Sequence, residues 1–129
     1  MKSNPLKHVV PHRVRNELRA FRARTGLSQS ELGALLGYPS DVTISRHELS
    51  RSLPPLFIAL CYEVVFQIPV SHIFIGLRDQ AEQHVEKRLL RFEADLESLR
   101  SKQITVPSEL AQKLMWLADR RNSKEDLNG

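Results

Sequence analysis

The residue types that catalyse reactions or bind metals are present in this chain, but their spacing does not bring them together. His8, His12, His47, His72 and His84 are scattered, and with no cysteine pair to supplement them they form no zinc-ligand spacing. His8 and His12 stand four apart, but Pro11 lies between them in a stretch read as non-helical. Cys61 is the single cysteine, so no internal disulfide forms. It lies among apolar residues with no neighbouring base to activate its thiol, as expected of a buried thiol in a reducing compartment. There is no Gly-rich phosphate loop and no G-x-S-x-G elbow, and the carboxylates follow helical charge patterns instead of pairing in an apolar cleft. No catalytic residue, metal site or cofactor is expected, and the chain is read as not an enzyme. The hydrogen-bonding groups that packing does not explain are Thr43, Ser45, Arg46 and His47, distributed around a short segment whose apolar residues are Val42, Ile44 and Leu49. That segment is too polar for a core helix.

Two short helices joined by a tight turn position these groups. Ser28 and Glu31 form an S-x-x-E capping box, so a helix starts at Gln29. Leu32, Leu35 and Leu36 recur at helical spacing toward a core, and Gly37 supplies the left-handed residue that ends the helix. Pro39 disfavours helical geometry at Tyr38, Ser40 can cap the next helix, and Asp41 sets a negative charge at its positive end. The second helix is expected from about Asp41 to Leu49.

Gly26-Leu27-Ser28-Gln29-x-Glu31-Leu32, then Gly37, then Ile44-Ser45-Arg46-x-Glu48 resembles the helix-turn-helix of the phage-repressor (Cro/CI, or XRE) family of transcriptional regulators. The resemblance covers about Val14 to Phe74. It implies an all-α chain with a five-helix lambda-repressor-like DNA-binding domain, the second motif helix lying in the major groove with its N-terminal residues at base edges. By position it implies Ser40, Asp41, Val42, Thr43, Ser45 and Arg46 as readers. It also implies Gln29 as a phosphate contact that buttresses them, and Arg22 with Glu48 as a partly buried salt bridge. Arg46 is the strongest reader, because arginine held bidentate to guanine is the commonest specific contact. Thr43 or Val42 meets a thymine methyl, or Val42 packs against the turn. Asp41 accepts from a cytosine amine or only caps the helix. His47 is read as packed or solvent-exposed, with phosphate contact as the alternative. The chain departs from the family twice. Gly37 to Ile44 is one residue longer than usual, so the register is anchored on Ile44 and Glu48. Ser50 and then Leu53-Pro54-Pro55 replace a glycine and basic residues, leaving Arg51 as the phosphate ligand of that loop.

With 129 residues, 41% of them hydrophobic, the chain suits one compact domain plus an appendage. No run of 18 or more uncharged apolar residues occurs, so no membrane span is expected, and Met1-Lys2-Ser3-Asn4-Pro5 lacks the apolar run of a secretory signal. A cytoplasmic location is expected. Residues 1–56 carry nine Lys or Arg against four Asp or Glu, whereas residues 57–129 carry ten against eleven. The positive field therefore sits on the half that carries the motif, which fits phosphate contact, the other reading being a basic solvated surface.

Residues 1–11 read as a flexible basic arm that either touches DNA or is a plain tail. The helix-turn-helix domain is expected over 12–77. Its first helix runs from about His12 to Arg24, with Val14, Leu18 and Phe21 on one face and Arg24 a weak phosphate candidate. A fourth helix follows Pro54-Pro55 to Phe66 and a short fifth spans Ser71 to Phe74, closing at Gly76. Leu32, Leu36, Ile44, Leu60, Val64 and Phe74 are expected to share the core. A C-terminal helical hairpin is expected over 78–121. Its first helix, Asp79 to Lys102, carries Val85, Leu89, Phe92, Leu96 and Leu99 at alternating spacings of four and three. Its second, Ser108 to about Arg121, carries Leu110, Leu114 and Leu117 with Met115 and Trp116 beside them. These eight spaced residues are read as a dimerisation seam, the other reading being that both helices fold back on their own domain. Residues 122–129 are read as a frayed tail.

The sequence thus points to a dimeric, sequence-specific binder of double-stranded DNA that regulates transcription, as a repressor where its site overlaps a promoter. The rival reading is a protein-interaction or antitoxin-like module that keeps the fold and uses the hairpin, with Trp116 as an anchor for a protein partner. No membrane partner is expected.

Overall fold

The computed structural model describes residues 14–128, which form seven α-helices with no strand among them. The expected arm over 1–11 and the start of the first helix at His12 lie outside these residues. The chain divides into two compact units between Gln83 and His84.

In the first unit, α1 (Leu18–Thr25), α2 (Gln29–Leu36), α3 (Val42–Glu48), α4 (Leu56–Phe66) and α5 (Val70–Ile73) surround a core of Leu18, Leu32, Leu36, Ile44, Tyr62, Ile73 and Phe74. The first helix begins at Leu18, because the preceding residues are used in other ways. The Glu17 N–H donates to the Ile73 carbonyl at 2.7 Å, and the Gly76 N–H donates to the Arg15 carbonyl at 2.8 Å. Asn16 supplies the acceptor for α1 instead: its Oδ1 takes the Leu18 N–H at 3.0 Å. Val14 therefore stands before the helix, not on its face.

Gly76 does not end a helix. α6 (Ile75–Ser101) runs straight through it. A Cβ at this position would sit 2.6 Å from the Arg15 carbonyl oxygen, so the missing side chain is what lets the 14–17 segment lie against the start of α6. Gly33 plays a similar part inside α2, where a Cβ would meet the Ser40 carbonyl at 2.8 Å. Glycine in a helix interior costs roughly 1 kcal/mol relative to alanine. Here it admits the turn that leads into α3.

Helix α4 presents a different face from the one expected. Tyr62 and Ala59 are buried, whereas Leu60 and Val64 are 46% and 69% exposed. The sequence Leu56-Phe57-Ile58-Ala59-Leu60-Cys61-Tyr62-Glu63-Val64-Val65-Phe66 is apolar on nearly every side, so helical periodicity does not choose the buried one. The aromatic ring of Tyr62 does. It stacks on Phe66 at 6.3 Å between centroids and lies 6.0 Å from Phe74, filling the space that Leu60 and Val64 were expected to share. Leu35, also expected to face the core, is 61% exposed because α2 buries Leu32, Gly33 and Leu36 instead.

In the second unit, α6 from His84 onward and α7 (Ser108–Asn128) pack through Leu96, Leu110 and Leu117, all buried, with Leu89 and Leu114 partly covered. The expected single seam is split. α7 covers Leu89 and Leu96, while Val85, Phe92 and Leu99, seven residues apart along one stripe of α6, are 45%, 39% and 50% exposed. The frayed tail expected from Asn122 is instead helical to Asn128. Arg120 and Lys124 pair with Glu86, and Arg121 pairs with Glu93, which holds the last turns to α6. No helix among the described residues is long and apolar enough to cross a membrane.

Candidate nucleic-acid interface

The start of α2 is fixed by its own side chains. Ser28 Oγ accepts the Glu31 N–H at 3.0 Å and Glu31 Oε1 accepts the Ser28 N–H at 2.9 Å. That reciprocal pair also draws the Glu31 carboxyl below its ordinary pKa, through the Ser28 backbone bond first. At the other end Gly37 is left-handed (φ 93°), and the Tyr38 N–H returns to the Gly33 carbonyl at 2.8 Å. α3 begins after Asp41, whose side chain makes no cap bond. Ser40 Oγ accepts the Val42 N–H at 3.4 Å in its place.

The inner side of α3 is held by three sets of polar contacts. Glu48 accepts from Arg22 Nε at 2.5 Å and Nη2 at 3.1 Å, and from Gln29 Nε2 at 3.0 Å. The Glu48 side chain is only 3% exposed. The bond from Glu48 raises the already high pKa of Arg22, and Arg22 Nη1 also reaches the Leu27 carbonyl at 3.0 Å. One arginine thereby ties α1, the loop before α2 and the end of α3. The second contact is His47, buried at 2% exposure, whose Nδ1 lies 2.7 Å from Tyr62 Oη. Burial lowers the imidazole pKa and raises that of the phenol, so both are neutral near pH 7. His47 is thus a packing residue, its ring bonded inside the core. The third contact is Asn16, which donates to the His47 carbonyl at 3.0 Å and to Ser50 Oγ at 2.9 Å, while Ser50 Oγ donates to the Val14 carbonyl at 2.5 Å. Ser50 has φ 57°. Its two side-chain bonds hold a non-glycine residue in that left-handed conformation.

The outer side of α3 is bare. Ser40, Asp41 and Arg46 are exposed, Val42 is 50% exposed, and Thr43 and Ser45 are half-buried. Arg51 is exposed just past the helix, its N–H bonded to the Arg46 carbonyl at 2.9 Å. Between the start of α2 and α3 lies an open polar groove of about 590 Å³, into which Arg19, Ser28, Gln29, Ser30, Asp41 and Ser45 face. The sequence-derived candidates therefore divide. Ser40, Asp41, Val42, Arg46 and Arg51 are accessible, Thr43 and Ser45 are partly so, and Gln29 contacts Glu48 while lining the groove. Arg24 lies elsewhere, its guanidinium 5.1 Å from the Phe21 ring centroid.

Asn16, Gly33, Ser50 and Tyr62 do as much to set α3 as the residues expected to do so. An asparagine two places before an apolar helical repeat is a capping signal, and a glycine between helical leucines marks a close approach. Ser50 and Tyr62 carry no such local sign. Comparisons of the chain with protein-family models, curated proteins and solved structures give no match.

Proposed function

We propose that this protein is a sequence-specific double-stranded DNA-binding regulator of transcription that reads its site as a dimer with α3 in the major groove. The observation that carries this reading is the asymmetry of α3: Glu48, His47 and the helix end are anchored inside, while Ser40, Asp41, Val42 and Arg46 stand free of the core. A rigid helix of 7 residues with unspent donors and acceptors suits base edges, and the basic first half of the chain suits the phosphates around them. Repression follows where the site overlaps a promoter. Dimerisation is assigned to the hairpin, through the exposed stripe of Val85, Phe92 and Leu99. Paired heads then meet half-sites about 10 bp apart or a multiple of that.

In vitro selection from random duplexes near physiological salt tests this directly. The expected result is an enriched inverted repeat, and absence of enrichment from folded protein overturns the proposal. On the selected site, Arg46→Ala is expected to cost about 1 to 3 kcal/mol of binding and to relax specificity at one base pair. A second reading, a protein-interaction module, draws on Met115 and Trp116 of α7, 65% and 50% exposed. It predicts that Arg46→Ala with Gln29→Ala leaves cellular function undiminished.

A further inference from the structure

Residues 1–56 hold four carboxylates, and three of them have partners in the fold. Glu17 accepts from Arg15 Nε at 2.8 Å, Glu31 closes the capping box of α2, and Glu48 takes Arg22 and Gln29. Asp41 is the fourth. Among the described residues, no hydrogen bond or ion pair engages its carboxylate. The backbone explains why it does not cap α3. A capping side chain folds back over the first amides from an extended residue, as Ser28 does at φ −75° and ψ 164°. Asp41 has φ −82° and ψ −9°, already helical, and its carbonyl accepts the Ser45 N–H at 3.0 Å. Its exposed side chain instead lines the groove of about 590 Å³, together with Ser45 one turn further on and Arg19 of α1.

A carboxylate left without a partner on a face that meets DNA weakens binding, because phosphates repel it, unless a donor on the DNA satisfies it. The base edges differ sharply in what they offer. In the major groove cytosine presents its N4 amine, guanine presents the acceptors N7 and O6, thymine presents O4, and adenine sets the acceptor N7 beside its N6 amine. An ionised carboxylate has acceptors only. Cytosine therefore satisfies it, adenine half satisfies it, and guanine and thymine repel it. We infer, resting on the DNA reading proposed above, that Asp41 fixes one base of each half-site as cytosine by accepting from its N4 amine. The choice is made by repulsion as much as by attraction, since the wrong base leaves an unpaired charge facing an acceptor. Asp41 is thus a specificity-determining residue whose presence lowers the affinity of the basic face for unrelated sequences.

The test compares the full chain with Asp41→Asn and Asp41→Ala in selection from random duplexes near physiological salt. Circular dichroism is expected to be unchanged in both, because the carboxylate bonds to nothing in the fold. The natural chain is expected to prefer cytosine over guanine or thymine at one half-site position by at least about tenfold. Asp41→Ala is expected to level the choice at that position alone. Asp41→Asn is expected to move it toward adenine, since an amide donates to N7 and accepts from N6. Both variants are expected to bind unrelated duplexes more tightly than the natural chain does. A cytosine preference that survives both substitutions overturns the inference and leaves the DNA reading standing. So does affinity that rises alike for every sequence with no base preference altered, which would put Asp41 beside a phosphate. Absence of any enriched site with the natural chain overturns the DNA reading itself, and this inference with it.

Discussion

The two units of this chain keep their helices in place by opposite means. The first unit sets α3 with buried polar contacts: a carboxylate 3% exposed that accepts from two helices, a neutral histidine bonded to a tyrosine, and an amide spanning two chain segments. Every buried side-chain nitrogen or oxygen among the described residues has a partner. The second unit relies on three buried leucines and on ion pairs at its surface. Buried polar contacts fix one geometry, because a displaced partner leaves an uncompensated charge or dipole. A short leucine seam with surface pairs fixes much less. The first unit is built to hold one helix in one orientation, and the second leaves its two helices less closely fixed.

The sharpest way to break this contrast is to remove its central charge. Glu48→Ala leaves Arg22 and Gln29 without their shared acceptor and is expected to cost about 3 to 5 kcal/mol in urea denaturation; a loss below about 1 kcal/mol would refute the anchoring role. Leu117→Ala is expected to cost about 2 to 5 kcal/mol through the cavity it leaves. Trp116, the only tryptophan, reports the second unit by fluorescence. Its transition is expected to move to lower urea while the tyrosine signal of the first unit holds.

Acid gives a smaller and reversible test. Burial lowers the pKa of His47 in the folded protein, so below the ordinary histidine value of about 6.5 the unfolded chain takes up a proton that the native one resists. The contribution of His47 is complete above that value and declines as pH falls toward the lowered native pKa. His47→Gln is expected to flatten this part of the stability profile, and an unchanged slope would exclude the histidine as its source. The smallest effect is expected at the surface: Arg121→Ala removes an exposed partner of Glu93 and should leave the Tm unchanged within error.

The features legible in the sequence were those written in local chemistry. The capping box, the left-handed Gly37 and the periodic leucines of α7 each declare themselves within a few residues. The pairing of Arg22 with Glu48 came from resemblance, since nothing local joins residues so far apart. The buried side of α4 was not legible, because a helix apolar all round is oriented by the shape of what surrounds it, here the ring of Tyr62. Gly76 carried the sign of a helix stop but serves a close approach by Arg15, a contact made only after the chain has folded back. The end of α7 reads as a polar tail until its cations find Glu86 and Glu93, about thirty residues upstream. The exposure of Ser40, Asp41, Val42 and Arg46 accords with the register of α3 anchored on Ile44 and Glu48, while Asn16 and Ser50 reach α3 and the 14–17 segment through long-range bonds that no spacing announces.

Asn16 has one further consequence. Its oxygen takes the first free amide of α1, and its nitrogen holds the carbonyl near the end of α3 together with Ser50. A single side chain thus links the start of α1 to the end of α3. In hydrogen exchange the Leu18 amide and the Ser50 and Arg51 amides, which return to the last turn of α3, are expected to open as one kinetic unit. The loss of Asn16 would uncouple their rates and give α3 a mobile end on the millisecond scale.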